Sequence, residues 1–355
     1  MTGFFILNSK NKKDKDIWMK LWNQSKEREV YMNPDYLDLY IDEQNEEAIC
    51  ACFIEQDTSI IYPFIKRPID LLDKNDQCYY DIITAYGYGG PCYIGSKNES
   101  TELEFWTCFE KWCKENHIVS EFIRFSLFND QLISYPGNTE LNNLNIVCDL
   151  TKSEENIWMG FKHKVRKNVK KAKNAGVTVE IDTNGSTIDT FLDIYYSTMD
   201  RNNANKTYYF SREYFESIIK NLNQNFVIFN AIKDKKIIST ELLLLSNESI
   251  YSFLGGTDSE FYDLRPNDLL KYEMILWGKR NNKKHYVLGG GYTKEDGIYK
   301  YKLGFEPNGI MDYKIGKRVL NQKVYNELVE LNLKNINRSK EELMDETFFP
   351  LYRIK

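Results

Sequence analysis

The chain has 355 residues, room for two domains rather than one, and its 42% hydrophobic content supports an ordinary globular core. A net charge of −5 argues against a protein that coats DNA but leaves room for a local basic surface. No run approaches the roughly 20 apolar residues of a bilayer span, and the lysines of MTGFFILNSKNKKDKD follow its apolar stretch where an export signal would need them in front.

A cytoplasmic location is therefore expected, with contact at a membrane surface left open. All seven Cys lie between positions 50 and 148, without a C-x-x-C pair, which suits reduced and mostly buried thiols. The three His, at 117, 163 and 285, are not spaced as ligand partners of Cys, so no metal site is expected. Most of the 25 Tyr and 20 Phe are expected to pack.

In chain order, Glu47 to Ile69 reads as a hairpin: AICACFI, a polar turn at Glu55 to Thr58, then SIIYPFI. The Gly-rich AYGYGGPCYIG follows, then an amphipathic helix from about Thr101 to Asn116 carrying Leu103, Phe105, Trp106, Phe109, Trp112 and Cys113, then the strand VSEFIRFSLF. The polar stretch at 130–145, SYPGNTELNNLN, is expected to be a turn-rich junction. FKHKVRKNVKKAKNAGVTVE reads as a helix with an apolar stripe of Phe161, Val165, Val169 and Ala172, beside a basic stripe of Lys162, Arg166, Lys170 and Lys173. Gly176 is its expected cap.

A second hairpin joins NFVIFNAI to IISTELLLL through Lys233 to Lys236, and SIYSFLGGT is a third strand. Pro266 opens a helix running to about Arg280. HYVLGGG and GIMDYKIG are further strands. This order indicates a mixed α/β fold, with domains at 1–145 and 146–330 and a tail at 331–355 packed back on the body.

Four groups of residues suggest chemistry. In GIYKYKLGFEPNG, a short helix carries Tyr299, Tyr301 and Lys302 before the Gly304-Phe305 turn; by spacing alone Lys302 is an exposed lysine or a fixed cation. Seven Lys or Arg between 162 and 173 make either a solvated face or a surface for phosphates. Two glycine clusters, AYGYGGP and LGGGYTKEDG, allow close backbone approach, with Gly289 and Gly290 in the second. Tyr86, Tyr88 and Tyr292 there either stack on a flat ligand or pack. Two carboxylates are candidate bases. Glu241, mid-strand in an apolar run, is either solvent-facing or buried with a raised pKa, and Asp296 is either a base or the cap of the following helix.

The Tyr301-Lys302-Leu303-Gly304-Phe305 stretch resembles the ending of GNAT-superfamily acyltransferases, and the aromatic-Lys pair resembles the FemAB-type branch with its peptidoglycan-bridge aminoacyltransferase relatives. The basic helix before Gly176-Val177 is similar to a FemAB-type motif as well. The resemblance covers about residues 146–320 well and 1–145 loosely. It implies two GNAT-like domains, each a mixed and mostly antiparallel sheet flanked by helices, the first of them degenerate and completing an acceptor cleft.

The same resemblance implies that Lys302 sits at an acyl-transfer centre, where a cation meets charge growing on the carbonyl oxygen. It implies that Arg201 reaches an acceptor phosphate, although an ordinary helix-end cation is the alternative. Acetyl-CoA-using GNAT enzymes hold diphosphate at a turn that here reads Arg265-Pro266-Asn267-Asp268. Pro266 removes an amide and Asp268 adds negative charge, so this turn is more similar to FemAB-type enzymes, which use aminoacyl-tRNA. The implied activity is N-acyl transfer from aminoacyl-tRNA or acetyl-CoA to a small-molecule or nucleotide-linked amine of an envelope precursor or amino sugar, with no tightly bound cofactor. Lys162, Arg166, Lys170, Arg265 and Asn267 would serve the donor. The competing expectation is a non-catalytic RNA- or nucleotide-binding module that uses the basic helix 162–173.

Overall fold

The computed structural model describes residues 2–71, 78–293, 295–339, 341–343 and 347–355. In chain order they form β1 (Gly3–Asn8), α1 (Lys12–Gln24), α2 (Pro34–Leu37), β2 (Glu47–Glu55), β3 (Thr58–Ile69), β4 (Tyr79–Ile83), β5 (Cys92–Gly95), α3 (Glu99–Glu115) and β6 (Ile118–Arg124). Next come β7 (Asn138–Asp149), α4 (Glu154–Gly160), α5 (His163–Asn174), β8 (Thr178–Asp182), α6 (Ile188–Arg201), α7 (Arg212–Asn221), β9 (Phe226–Lys233), β10 (Lys236–Leu245) and β11 (Ser249–Thr257). The chain ends with α8 (Pro266–Arg280), β12 (His285–Gly289), α9 (Gly297–Lys302), β13 (Ile310–Val319) and α10 (Gln322–Ile336). Contacts divide them into two units: Met1–Lys26 with Tyr31–Asn142 and Tyr313–Lys355, and Glu27–Val30 with Asn143–Asp312.

In the first unit the antiparallel strands β1, β2, β3 and β4 lead to β6, which runs parallel to β4 and antiparallel to β13. The alternating strands bury Ile49, Ala51, Tyr62 and Phe64 against Phe105 and Phe109 of α3. Each such ring contributes roughly 1.5–3 kcal/mol on burial. Asn98 caps α3 by accepting from the Ser100 and Thr101 amides. The far end of the chain folds onto this unit, where Leu328 of α10 and Tyr352 share a core with Val119.

In the second unit β7 and β12 are antiparallel, β12 and β11 parallel, and β11, β10, β9 and β8 antiparallel. The expected mixed, mostly antiparallel sheets flanked by helices are thus present. Helices α5 and α8 cover one face of this sheet, through Val165, Val169, Ala172, Leu270, Met274 and Ile275. Helix α6 lies over β10 and β11 on the other side.

Most expected elements lie within a few residues of their sequence positions. One segment differs. The stretch 130–145 was expected to be turn-rich, yet β7 begins at Asn138. Its first five residues are all exposed, so no in-out alternation marks the strand and its Asn, Thr and Glu read as loop. A smaller correction concerns Phe161 and Lys162. Both precede α5, Phe161 as the residue ending α4 and Lys162 as the N-cap. Among the described residues no helix is long and apolar enough to cross a membrane.

Candidate active site

The second unit's sheet contains a fork. Strands β11 and β12 pair in parallel only at Ser249–His285, Ile250–Tyr286 and Tyr251–Val287. Beyond Tyr251, β11 follows β10 alone as far as Thr257, while β12 continues beside β7. A register shift opposite Leu242 and Leu243 leaves Phe253 as an extra residue in β11 where the strands part. Such bulges bend a strand and re-aim its side chains.

Lys302 lies beside the divergent end of β12. Its Nζ donates to the Gly290 carbonyl oxygen at 2.6 Å. Burial pulls its pKa down to about 8, helped by the neighbouring Lys271 charge and opposed by Glu241 and Asp296. The ammonium still prevails at neutral pH, but it yields its proton far more readily than a solvated lysine.

Local sequence fixes this placement. Asp296 is the N-cap of α9, accepting from the amides of Tyr299 at 2.8 Å, Tyr292 at 2.7 Å and Thr293 at 3.2 Å. These backbone donors hold its carboxyl below the usual range. At the other end of α9, a Cβ on Gly304 would stand 2.8 Å from Val165 Cγ2, and the Lys162 amide donates to the Gly304 carbonyl at 2.8 Å. Glycine is therefore required where α9 docks on α5. Phe305 then packs edge-on to Phe161 and Tyr301. Among the described residues the buried Tyr301 hydroxyl has no hydrogen-bond partner, and its pKa is driven up chiefly by that burial.

The glycine cluster has a steric reason of its own. A Cβ at Gly290 would meet the Leu144 carbonyl oxygen at 2.7 Å, and one at Gly291 the Asp296 Oδ1 at 2.2 Å. Gly289 has φ +77°, in the left-handed region. The Leu144 carbonyl and the side chains of Asn143, Asn145 and Asp296 occupy the space that Gly290 and Gly291 leave.

Glu241 is buried, 6% exposed, and so is Lys271 of α8 at 5%. Lys271 Nζ donates to Glu241 Oε1 at 2.5 Å, to Ser252 Oγ at 2.8 Å and to the Tyr286 hydroxyl at 3.2 Å. Ser252 Oγ and the Tyr286 hydroxyl also reach Glu241 Oε1. One ion pair and two hydroxyls thus join β10, β11, β12 and α8 at the foot of the fork. Sequence reasoning named Glu241 but missed Lys271, Ser252 and Tyr286. The available signal was Glu241, the lone charge of TELLLL, together with Lys271 on the apolar side of LLKYEMI, an arrangement that is economical only if the two charges pair.

The remaining candidates are dispersed. Arg201 ends α6 and donates to Thr198 Oγ1 and the Thr257 carbonyl at 3.2 and 3.3 Å, with its guanidinium over the Tyr262 ring. Arg166 caps α4 by donating to the Met159 and Phe161 carbonyls. Lys162, the N-cap of α5, and Lys170, on the helix itself, are exposed. Arg265 is an exposed residue with φ +62° at the start of α8, followed by half-buried Asn267. Asp268, buried in the first turn of α8, accepts from Asn168 Nδ2 at 3.1 Å, and burial raises its pKa. Tyr292 is 67% exposed, edge-on to Tyr208. Tyr86 and Tyr88 belong to the first unit, Tyr86 beside Tyr40, and Tyr88 between Tyr31 and Tyr313. Within the second unit, the structure brings together Lys302, Gly290, Asp296 and the Glu241–Lys271 pair.

Residues 160–303, which span this fork and α9, match the family model described as the acetyltransferase (GNAT) domain. The second unit is thus similar to a GNAT acetyltransferase domain over these residues. Over nearly the whole chain, the fold is similar to that of FemX, at 13% identity and a TM-score of 0.67, covering 88% of this chain and 98% of FemX. It is also similar to the C-terminal domain of a putative lysylphosphatidylglycerol synthetase from Agrobacterium fabrum, at 11% identity and a TM-score of 0.55, covering 87% of this chain and 94% of that domain. L-PGS from Bacillus licheniformis gives 10% identity and a TM-score of 0.53, covering 93% and 97% of the two chains. At these identities the likeness is one of fold, and it agrees with the FemAB-type resemblance of the Tyr301-Lys302 stretch. No curated protein sequence matches significantly.

Proposed function

We propose that this protein is an N-acyltransferase that moves an acyl or aminoacyl group from an activated ester or thioester to an amine, with the fork of the second unit as the reaction site. The observation that carries the reading is the Lys302 ammonium, fixed on the Gly290 carbonyl with a pKa pulled down to about 8. A neutral amine attacks the acyl carbon, the C–N bond forms, and the oxygen that gains charge is met by the ammonium. As the C–O or C–S bond breaks, Lys302 gives its proton to the leaving alkoxide or thiolate and recovers one from the new ammonium nitrogen. The net products are an amide and the protonated leaving group. A donor with a depressed pKa suits both transfers.

Aminoacyl-tRNA is the donor favoured here. Asp268 stands in the first turn of α8, where a diphosphate would need amides and no carboxylate. Helix α5 and its N-cap offer exposed Lys162, Lys164, Lys167, Lys170 and Lys171, with no acidic residue in the first turn. Acyl-CoA is the alternative donor. The acceptor class is an amine of an envelope precursor or nucleotide-linked amino sugar; the fold neighbour named as a lysylphosphatidylglycerol synthetase bears on the envelope part of this reading alone.

Transfer of radiolabel from aminoacyl-tRNA and from acetyl-CoA, each against a panel of amino sugars, muropeptide precursors and aminoacyl-acceptor lipids, tests the proposal. Labelled amide from either donor is expected. Absence of transfer from both, together with tight RNA binding that is abolished by charge reversal at Lys162, Lys164 and Lys170, would establish the non-catalytic RNA-binding module instead.

A further inference from the structure

Tyr292 plays no part in the transfer steps above, and its large ring is 67% exposed. Scattered exposed rings are ordinary on a protein surface; this one is held in place. The Tyr292 amide donates to Asp296 Oδ2 at 2.7 Å, and Asp296 caps α9, the helix that carries Lys302. Lys302 in turn donates to the carbonyl of Gly290, two residues before Tyr292. Loop and helix thus form one closed circuit of hydrogen bonds. Two residues span at most about 7 Å, so the Tyr292 side chain begins within that distance of the glycine on which Lys302 rests.

The ring is also oriented. Tyr208 meets it with centroids 6.0 Å apart and planes at 88°. Tyr208 is itself anchored: Asn205 Oδ1 accepts from the Thr207 amide at 3.0 Å, and the Tyr208 carbonyl accepts from the Tyr195 hydroxyl of α6. A perpendicular neighbour fixes the plane of a ring and leaves at least one face open to a further flat group.

We propose that Tyr292, braced by Tyr208, is the stacking platform for the base of the donor's terminal nucleotide, an adenine carried on the same ribose as the acyl ester. The inference rests on the acyl-transfer reading of the fork and narrows its donor. In an aminoacyl-tRNA the reacting carbonyl is esterified to the last ribose, so that nucleotide's base stands one sugar away from the bond that breaks. In acyl-CoA a pantetheine arm and a diphosphate separate the adenine from the thioester. In a nucleotide-linked amino sugar a diphosphate separates the base from the amine. Of the three, the aminoacyl ester alone brings a flat ring as close to its reacting carbonyl as Tyr292 stands to the Lys302 anchor. Every base offers a π-face, so such stacking needs no hydrogen-bonded readout.

The test is the binding of two unreactive probes to the full-length protein, followed by calorimetry. One is 3′-deoxy-3′-(alanylamino)adenosine, in which an amide replaces the ester; the other is the same compound with hydrogen in place of the base. The parent should favour the adenosine probe by roughly tenfold or more. Tyr292→Ala should abolish that preference, whereas Tyr292→Phe should keep it within about twofold. Tyr208→Ala should weaken it. Acetyl-CoA binding should be unchanged in all three variants.

No preference for the base in the parent, or a preference that survives Tyr292→Ala, overturns the proposal. So does a Tyr292→Ala variant that loses acetyl-CoA binding, which would assign the ring to the other donor. Because the probes cannot transfer, the outcome is separable from that of the donor assay. A Tyr292-dependent preference without transfer from either donor would preserve the base site and refute the acyl-transfer reading; transfer without any base preference would do the reverse.

Discussion

Glu29 provides a sharp energetic test of how the second unit is built. This residue belongs to the short segment Glu27–Val30, which joins that unit although it is flanked by the first. Its carboxyl is buried, accepting from Ser246 Oγ at 2.7 Å and from the Tyr251 hydroxyl at 2.6 Å, and the Val30 amide donates to Ser246 Oγ. Burial is the main influence, and it raises the pKa from an ordinary 4.5 to about 7 against the two hydroxyl bonds, with Glu27 and Glu248 adding to the rise. The folded chain thus holds a proton that the unfolded chain releases earlier. Stability contributed at this site is complete below the ordinary carboxyl value. It falls as pH rises from there to about 7 and is flat beyond. At 1.36 kcal/mol per tenfold, the full loss is about 3 kcal/mol.

Glu29→Gln keeps the carbonyl acceptor and the side-chain shape but cannot ionise. In chemical denaturation the variant should match the parent within about 1 kcal/mol near pH 5 and exceed it by about 3 kcal/mol near pH 8. An equal difference at both pH values would refute the assignment of a buried, proton-retaining carboxyl.

Other substitutions separate structure from chemistry. Asp296→Asn retains a good N-cap, so transfer should stay near the parent rate. Asp296→Ala loosens α9 and should lower transfer by roughly tenfold or more through displacement of Lys302. A dead Asn variant would make Asp296 a base. Gly255→Ala would place a Cβ 2.5 Å from the Thr240 carbonyl oxygen and 2.9 Å from Glu241 Cα. It should lower stability by about 1–3 kcal/mol in denaturant titrations, and an unchanged midpoint would contradict the close strand approach. Tyr301→Phe removes a buried hydroxyl that has no partner among the described residues, and stability should rise by about 1 kcal/mol. A fall of similar size would mean the hydroxyl is satisfied in solution.

How much of this was legible in the sequence depends on the kind of signal. Hairpins and helices with an apolar stripe could be read because their side chains alternate or recur with the backbone period, as in β2–β3 and α3. The polar start of β7 could not, since strand pairing there leaves no pattern on exposed side chains. The motif drew attention to Lys302 as a candidate, and the structure adds a reason for Gly304, the close approach of Val165. The Lys271–Glu241 pair was half legible. Glu241 announces itself as the lone charge of an apolar run, but its meeting with Lys271 depends on how α8 crosses β10. Arg201 and Arg166 are candidate ligands by residue type, and the structure adds hydrogen bonds that each makes within the chain.

The most direct measurement is single-turnover transfer by Lys302→Met with whichever donor and acceptor the parent enzyme uses. The account predicts a loss of roughly a hundredfold or more in the rate of the chemical step, with donor binding little changed. A variant that transfers within about threefold of the parent rate would contradict a cationic role for Lys302 in the fork.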